Sequence, residues 1–394
     1  MTMAPGLSHS GLSGRGTGER LFITGATGFL GRQLVRVLLE EFPGARLALL
    51  VREKGRQNTD LRLQSFARDA VSTGGDIPGT ERLQLFFGDA SKSRCGLSRQ
   101  DYDRAAEGTT RIIHGAAAVR FDSPPAEARS VNVEGTRHLL EFAADVQRLG
   151  TLRSFTHVGT AFVAGERQGI VREDELDVGQ RFRNIYEETK CAAEKLVRAR
   201  AEQMPAVILR PSIIVGDSKT GVTSSFKTLY WPLKVYAKRG WRLLPGFPDT
   251  VVDVVPVDFV ARAAAHLAMD DGAVGRCLHL CSGPAGSATL RELALHAGNF
   301  FRQPPPRFVN PAVFLTLLRP VLLATVWGPR RRVLLDGPVY RPYLRMRLIF
   351  DTTQADEMLV PHGIRPPNVR DYFDRILRYC LDSDWGRKKA VFAG

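Results

Sequence analysis

A tyrosine and a lysine four residues apart are the first residues of this sequence that suggest catalysis. Tyr186 and Lys190 belong to the run Tyr-Glu-Glu-Thr-Lys, and this spacing places both side chains on one face of a helix. A nearby ammonium group lowers the pKa of a phenol. Tyr186 is therefore suited to give a proton to a carbonyl oxygen while hydride reaches the carbonyl carbon. Because the spacing is common by chance, its weight depends on the surrounding elements.

A hydroxyl residue follows a predicted strand, one helix before this pair. The strand is Ser154–Val158, and Thr160 just beyond it can hydrogen-bond a substrate carbonyl. Thr156 competes for this role, but within the strand it is better suited to packing or pairing in the sheet. Lys190 is also suited to hold the nicotinamide ribose. Asn132 is predicted to order either a helix or a water of a proton relay.

Glycines with the spacing G-x-x-G-x-x-G follow the first predicted strand and open a helix. Glycine lets the backbone turn tightly and approach a pyrophosphate, whose charge then lies at the helix N-terminus. A strand before the glycines and an amphipathic helix after them give the pattern its significance. The predicted cofactor loop contains Gly25, Thr27, Gly28, Phe29, Leu30 and Gly31.

The end of the second predicted strand favours NADPH over NADH. A site for NAD more often has an acidic residue there, whereas Arg52 can pair with a 2′-phosphate, with Arg56 as a second candidate. The alternative is a surface arginine without this role. Asp89, after the third strand, is placed to hydrogen-bond the adenine. Ala116 and Ala117, after the fourth strand, let the chain pass close to the cofactor.

The elements that must position these residues are the strands and crossover helices of a parallel sheet. From Arg20 to about Cys281, short apolar runs alternate with amphipathic stretches. The predicted strands are Leu21–Thr24, Leu47–Val51, Leu83–Phe87, Arg111–His114, Ser154–Val158 and Ala206–Leu209. The predicted helices include Gly31–Glu41, Ala126–Ala144, Ile185–Glu202 and Val257–Ala268. The predicted fold class is therefore α/β, a doubly wound Rossmann-type parallel sheet with a smaller, mostly helical C-terminal substrate-binding region.

Three segments are predicted along the chain. Residues 1–19 are rich in glycine and serine without an apolar stretch, which indicates a flexible leader rather than a signal peptide. Residues 20–300 are predicted to form the NAD(P)-binding domain with part of a substrate lobe, and residues 301–394 the C-terminal substrate-binding region. There, Asn368 is placed to cap a helix that runs to about Leu381.

An apolar run, Pro311–Trp327, is interrupted by Arg319-Pro320 and followed by three arginines. It is too short and too interrupted for a membrane span. The simplest expectation is a helix buried against the core. The alternatives are a lid over a lipid-binding groove, or an interfacial helix that brings residues 311–332 into peripheral contact with a membrane.

The composition is that of a globular protein, with 44% hydrophobic and 24% charged residues. The net charge of +14 favours anionic partners such as phosphorylated cofactors, coenzyme A thioesters or anionic lipid. No nucleic-acid motif accompanies it, so no nucleic-acid partner is predicted. Five cysteines without a C-x-x-C pair predict neither a metal site nor a disulfide framework and fit a cytoplasmic protein. The alternation of Cys277, His279 and Cys281 predicts one face of a buried strand.

Several motifs in residues 20–300, taken together, resemble the extended short-chain dehydrogenases, and within them the fatty acyl-CoA reductase and thioester reductase branch. The selective motifs are Phe29-Leu30, Val119-Arg120-Phe121-Asp122 and the run from Arg210 to Asp217. The resemblance implies NADPH-dependent reduction of a fatty acyl thioester, on coenzyme A or a carrier protein, to aldehyde or alcohol. It also implies that Thr160, Tyr186 and Lys190 are catalytic. It places the stretch from Arg210 to Ile214 beside the nicotinamide, with Pro211, Ser212, Ile213 and Ile214 as the cofactor contacts.

The sequence departs from that branch at two places. Gly159 stands where the family usually has serine, and Phe162 where it often has tyrosine. The last hundred residues match the long helical domain of the alcohol-forming members poorly, which leaves acyl length and product open. A sterol dehydrogenase, a nucleotide-sugar epimerase or dehydratase, and a non-catalytic dinucleotide sensor remain as alternatives.

Overall fold

The computed structural model describes residues 18–52, 79–226, 228–238, 242–328, 331, 334–335 and 346–388. Most of the predicted leader, together with Arg56, Arg330 and Arg332, lies outside the described residues. Seven parallel strands form the central sheet, in the order β7-β6-β5-β4-β1-β2-β3. They are β1 (Arg20–Thr24), β2 (Arg46–Val51), β3 (Leu83–Phe87), β4 (Arg111–His114), β5 (Ser154–Val158), β6 (Ala206–Pro211) and β7 (Cys277–Leu280).

The apolar runs that predicted the strands are the strands of this sheet. The four residues of β4 and the five of β5 are all buried, as expected for a parallel sheet covered on both faces. The bounds of β3, β4 and β5 agree with the prediction, and β6 runs two residues further, to Pro211. The alternating segment at Cys277 is an edge strand, parallel to β6.

Helices cover both faces of the sheet, which confirms the doubly wound α/β fold. Within the described residues, the helices of seven residues or more are α1 (Phe29–Glu41), α2 (Arg99–Ala106), α3 (Gly135–Arg148), α4 (Ile185–Arg198), α5 (Tyr230–Ala237), α6 (Val257–Met269), α7 (Leu290–Phe301), α8 (Arg319–Thr325), α9 (Thr353–Leu359) and α10 (Val369–Asp382). Apolar side chains of α1, α6 and α9 form one core cluster. Side chains of α2, α3 and α4 form the cluster on the opposite face.

Two predicted helices differ from the observed ones. The helix predicted at Ala126–Ala144 begins as Pro125–Arg129, passes through a π-helical turn at Ser130–Glu134, and continues as α3. A π-turn inserts an extra residue and often marks a functional site. The helix predicted to end at Glu202 ends at Arg198, because the chain turns there before it enters β6.

A third apolar cluster forms a smaller lobe beyond the sheet. It joins α5, α7 and α10 through residues that include Tyr230, Leu293 and Phe373. Asn368 caps α10, since its side-chain oxygen accepts a hydrogen bond from the Arg370 N–H, as predicted. The lobe takes residues from both sides of position 300, and the domain boundary there stays a prediction. Short strands pair outside the main sheet: Gly169–Val171 with Leu348–Phe350, Ile213–Val215 with Val254–Pro256, Leu243–Pro245 with Arg307–Val309, and Val251–Val252 with Ala288–Thr289.

The apolar run at Pro311 is helical but not buried. Residues 311–325 are continuous helix, made of Pro311–Val313, a π-helical part at Phe314–Leu318, and α8. Phe314 is buried, whereas Leu317 and Val321 are 64% and 61% exposed. The expectation of a helix buried against the core is therefore wrong for this face. No helix in the described parts of the chain is long and apolar enough to cross a membrane.

Candidate active site

The predicted site residues lie at one edge of the sheet because parallel strands all end on the same side. The loops after β1, β2, β3, β4, β5 and β6 all begin at this carboxyl edge. In doubly wound folds, ligands bind in the crevice outside this edge, where the order of the strands reverses. Here the order reverses between β1 and β4. The glycine loop follows the first of these strands and Ala116 follows the second.

The backbone of the glycine loop is packed too closely for side chains. A Cβ atom at Gly31 would lie 2.1 Å from the Gly25 carbonyl oxygen, and one at Gly25 would lie 2.5 Å from the Gly115 carbonyl carbon. Gly25 also has a φ of +78°, which favours glycine. The Gly28 N–H donates to the Gly25 carbonyl at 2.9 Å, and α1 starts at the next residue. These contacts bring the N-terminus of α1 to the carboxyl edge.

This loop fits a dinucleotide. Thr27 and Gly28 are exposed, and Phe29 and Leu30 are half-buried, so the start of α1 faces solvent. The first turn of α1, all of it described, contains no acidic residue. A helix N-terminus without nearby negative charge is suited to bind a pyrophosphate.

The loop after β4 is fixed beside the glycine loop. The Thr24 side-chain oxygen accepts a hydrogen bond from the Ala116 N–H at 3.2 Å and lies 2.8 Å from Nδ1 of His114. Ala116 and Ala117 are half-buried and follow directly. Their side chains are small, and the close approach to a cofactor that was predicted for them stays a prediction.

The ends of β2 and β3 bring Arg52 and Asp89 together. The Arg52 Nε lies 3.6 Å from a carboxylate oxygen of Asp89, and 55% of the arginine side chain is exposed. The other Asp89 oxygen accepts hydrogen bonds from the N–H and hydroxyl of Ser91. These hydrogen bonds and the charge of Arg52 outweigh burial and lower the pKa of Asp89. An exposed guanidinium at this position can accept a 2′-phosphate.

Thr160, Tyr186 and Lys190 meet at the ends of β5 and α4. The Thr160 hydroxyl hydrogen-bonds the side chain of Tyr186 and donates to the Pro211 carbonyl at 3.4 Å. The Lys190 ammonium is buried and donates to the Val158 carbonyl at 2.7 Å. Tyr186 keeps part of its surface exposed. A phenol and a hydroxyl thus adjoin at the carboxyl edge, with an ammonium group one helical turn away.

The electrostatics of this trio differ from the expectation in one respect. Burial raises the pKa of Tyr186 to about 12, although the hydrogen bond with Thr160 opposes the shift. Lys190 is not among the causes of that shift. Burial lowers the pKa of Lys190 to about 8 against the opposing charge of Glu194. The phenol is therefore protonated at neutral pH, which is the form that a proton donor needs.

Asn132 connects the loop after β4 to α4. Its side-chain oxygen accepts a hydrogen bond from the Ala118 N–H at 2.7 Å, and its amide nitrogen donates to the Ala118 carbonyl and to the Thr189 hydroxyl. It lies in the π-helical turn before α3. Thr189 is the residue before Lys190, so this amide holds the helix that presents the tyrosine and the lysine. These hydrogen bonds support the structural one of the two uses predicted for Asn132, and the proton relay stays a prediction.

Phe121 belongs beside the site, although the spacing of the catalytic residues did not indicate it. Its ring centroid lies 5.9 Å from that of Tyr186. The signal that could have found it was the motif Val119-Arg120-Phe121-Asp122, which the sequence singles out without assigning a role. The ring limits the space around the phenol.

The segment after β6 is held by a buried carboxylate. Ser212 donates its hydroxyl hydrogen to Asp253 at 2.5 Å, and Asp253 also accepts hydrogen bonds from the N–H groups of Ser282 and Gly283. Ile213 and Ile214 continue as a short strand that pairs with Val254–Pro256. The Pro211 carbonyl accepts a hydrogen bond from Thr160, so the predicted cofactor segment lies next to the predicted catalytic residues.

Arg210, near the end of β6, is also buried, and its guanidinium contacts α4. It forms an ion pair with Glu194 at 2.7 Å and donates to the carbonyl of Glu175. His279 of β7 contacts the same guanidinium at 3.3 Å and the Asp351 carbonyl at 2.7 Å. These contacts give His279 a structural role in the strand. Of the described residues, no group of three or more histidine, cysteine or acidic side chains is arranged to hold a metal ion.

The comparisons with known proteins agree with this arrangement. Residues 23–264 match the model of an NAD-binding family described as male sterility protein. Fatty acyl-CoA reductase wat of Drosophila melanogaster is 27% identical over 281 residues, which cover 64% of this chain and 54% of that protein. The large subunit of L-2-aminoadipate reductase of Penicillium chrysogenum is 32% identical over 273 residues, which cover 65% of this chain and 19% of that protein.

A solved structure matches almost the whole chain. The terminal R domain from the myxalamid PKS-NRPS biosynthetic pathway has a TM-score of 0.79 and 25% identity, and the match covers 94% of this chain and 92% of that domain. The chain spans about half the length of the Drosophila reductase and 19% of the length of the Penicillium protein. Since the family model covers more than half of the chain, including the glycine loop and the Tyr186–Lys190 pair, the chain belongs to the NAD-binding male sterility protein family.

Proposed function

We propose that this chain is an NADPH-dependent oxidoreductase that reduces a fatty acyl thioester, supplied as acyl-CoA, to the fatty aldehyde or alcohol. The observation that carries the proposal is the convergence of Thr160, Tyr186 and Lys190 at the carboxyl edge, next to a glycine loop that fits a dinucleotide. Membership of the family and the likeness to a fatty acyl-CoA reductase support it.

In the proposed reaction, bound NADPH supplies the hydride that adds to the thioester carbonyl carbon. Tyr186 is protonated at neutral pH and gives its proton to the carbonyl oxygen as charge develops there. Thr160 donates a hydrogen bond to the same oxygen. The resulting hemithioacetal loses its thiol by cleavage of the carbon–sulfur bond, which leaves an aldehyde. A second hydride and proton would give the alcohol.

Lys190 is proposed to hold the nicotinamide ribose. A buried ammonium with a pKa of about 8 is mostly charged at neutral pH. With one ammonium hydrogen on the Val158 carbonyl, two remain for the hydroxyls of a nicotinamide ribose.

The proposed cofactor contacts follow the edge of the sheet. The loop from Gly25 to Gly31 would hold the pyrophosphate, and Arg52 the 2′-phosphate, which distinguishes NADPH from NADH. Asp89 would bind the adenine, and Pro211 to Ile214 would lie along the nicotinamide. Because Arg52 is exposed and its contact with Asp89 is long, it can turn to a phosphate at little cost.

The substrate is proposed from charge and from the relatives. The formal charge of +14 favours a thioester that carries phosphates. Both coenzyme A and the phosphopantetheine of a carrier protein carry phosphate. All five cysteines are buried and unpaired, which supports a cytoplasmic enzyme.

The decisive experiment mixes the purified chain with NADPH and acyl-CoA of several chain lengths. The absorbance of the cofactor is followed and the products are identified by mass. We expect aldehyde or alcohol from the wild type and a loss of rate of about a hundredfold to ten-thousandfold in Tyr186→Phe, which removes the proton donor. Tyr102→Phe is the matched control, because that buried phenol bonds Asp145 and lies away from the carboxyl edge.

The same assay distinguishes the alternatives and the cofactor. Turnover of a carrier-bound thioester alone would replace coenzyme A in the proposal, and turnover of a sterol or sugar nucleotide alone would overturn it. Dinucleotide binding without turnover of any of these substrates would indicate the non-catalytic sensor. For the cofactor, we expect Arg52→Ala to weaken NADPH binding about tenfold or more and to leave NADH binding unchanged. Equal effects on both cofactors would contradict the assignment of Arg52.

A further inference from the structure

The helix at residues 311–325 presents an exposed apolar face that the proposed reaction does not use. Val313, Leu317 and Val321 are 43%, 64% and 61% exposed, and Trp327, just beyond the helix, is 80% exposed. We call these four residues the apolar face. Successive positions four apart lie on the same side of a helix, so the three aliphatic side chains form one stripe with the indole at its end.

The apolar face is held outward by contacts on the opposite side of the helix. Phe314 and Leu334 are buried. The Arg319 guanidinium donates to the Leu334 carbonyl at 3.3 Å. Arg319 is the single charged residue between positions 311 and 328. The exposed stripe therefore lies on an anchored helix with a single charged residue, Arg319.

The segment around the helix is basic without exception. From residue 293 to residue 335 the sequence contains six arginines and no aspartate, glutamate or lysine. Among the described ones, Arg302, Arg307 and Arg331 are exposed. Arg331 lies close to the end of α8, where its Nε donates to the Leu323 carbonyl at 3.5 Å. An apolar face in a segment whose charged residues are all arginine matches a surface that is negative outside and apolar beneath.

We propose that the apolar face docks on an anionic lipid bilayer, with the helix lying in the plane of the interface. Aliphatic side chains would enter the hydrocarbon boundary, Trp327 would lie at headgroup depth, and the arginines would contact lipid phosphates. The helix is about 22 Å long at 1.5 Å per residue, which is shorter than the hydrocarbon core of a bilayer. It therefore rests on the membrane. This proposal does not depend on the proposed reaction.

A second copy of the chain fits this surface less well. Pairing the same face would bring two basic segments together without acidic residues to neutralise them. An acidic protein would satisfy the arginines, but it would also need a groove for four apolar side chains. A bilayer supplies both phosphates and hydrocarbon.

The test is sedimentation of the whole chain with vesicles of phosphatidylcholine, with and without phosphatidylserine. We expect binding to the anionic vesicles that weakens at high salt and is at least tenfold weaker on neutral ones. The double variant Leu317→Glu with Val321→Glu should lose tenfold or more in partitioning, and Arg331→Glu about fivefold. Leu149→Glu is the matched control, since Leu149 is 59% exposed at the end of α3 and should bind like the wild type.

A second readout follows Trp327 itself. Brominated lipids should quench part of the tryptophan emission on anionic vesicles, and Trp327→Phe should remove that part. Thermal unfolding checks that all variants fold. Equal binding of the double variant and the wild type, or no binding to anionic vesicles, would overturn the proposal. Two observations made together would also overturn it. The first is that the wild type forms a dimer or a complex with an acidic carrier protein and the double variant does not. The second is that vesicles bind neither the wild type nor the double variant.

Discussion

In most folded proteins apolar side chains are buried and polar ones are exposed. The carboxyl edge of the sheet and the helix at 311–325 depart from this pattern in opposite ways. At the sheet, polar groups are buried: Lys190 is 2% exposed and Thr160 is 3% exposed. At the helix, apolar groups are exposed, and Trp327 is the extreme case. A buried polar group and an exposed apolar patch are the informative exceptions in a folded protein, because each costs free energy that ordinary packing would avoid.

The two regions differ in whether the exceptional side chains have partners within the chain. The buried polar groups of Thr160 and Lys190 have partners within the chain, the Pro211 carbonyl for Thr160 and the Val158 carbonyl for Lys190. The exposed side chains of the helix have no comparable shelter in the described parts of the chain. The first region is therefore complete in itself apart from small ligands, whereas the second is suited to meet another surface.

Within this comparison of the two regions, the largest effect should separate two threonines of the same strand region. Thr160→Val removes a hydroxyl that bonds Tyr186, and we expect kcat/KM to fall about a hundredfold to a thousandfold. Thr156→Val is the matched control: its buried hydroxyl finds no partner among the described residues. Replacing an unsatisfied hydroxyl with a methyl group should leave activity within about twofold and stability unchanged or higher. Equal losses of kcat/KM in both variants would show that the buried hydroxyls of Thr156 and Thr160 contribute to folding alone.

The position of the candidate site at the carboxyl edge was largely predictable because its signals are short in sequence. The glycines are three residues apart, and the pair Tyr186 and Lys190 are four apart, so local geometry decides where they point. Thr160 follows β5, and α4 is the next long helix, so Thr160 was predicted to lie near Tyr186 and Lys190. The pKa of Tyr186 was not predictable, since it depends on burial by distant segments, and neither was the packing of Phe121 on the phenol.

A pH dependence of stability should come from a buried carboxyl outside the trio. Glu173 accepts hydrogen bonds from the N–H groups of His279, Gln354 and Ala355, and so ties β7 to α9. Burial outweighs these bonds and raises the pKa of Glu173 from 4.5 to about 7. Between these pH values the folded chain holds more protons than the unfolded chain. The free energy of unfolding should therefore fall by about 2 to 3 kcal/mol as the pH rises from 4.5 to 7.

Glu173→Gln should remove this part of the pH dependence, as measured by urea unfolding at several pH values. The matched control is Glu175→Gln, two residues away. Hydrogen bonds from Arg172 and Arg167 lower the pKa of Glu175, so its contribution is present at neutral pH and is lost as the pH falls. A slope between pH 4.5 and 7 that survives Glu173→Gln would contradict the assignment.

The C-terminal part of the chain was predictable only where a local signal existed. Asn368 and the amphipathic pattern after it gave α10 correctly. The apolar run at Pro311 gave a helix, but whether its residues face the core depends on tertiary contacts that periodicity cannot show. Residues such as Leu293 and Phe373 of the lobe are eighty positions apart in sequence. Their meeting was not visible in either segment alone.

The smallest effect should be found at Leu317, and it tests the exposed side of the comparison. Leu317→Ala should change the free energy of unfolding by less than about 0.5 kcal/mol, because its side chain has little packing to lose. Leu377→Ala, in α10 and fully buried, should cost about 2 to 5 kcal/mol. Urea unfolding without lipid measures both. A loss above about 1 kcal/mol in Leu317→Ala would mean that the helix packs within the chain, and the apolar face would then be part of the core rather than a docking surface.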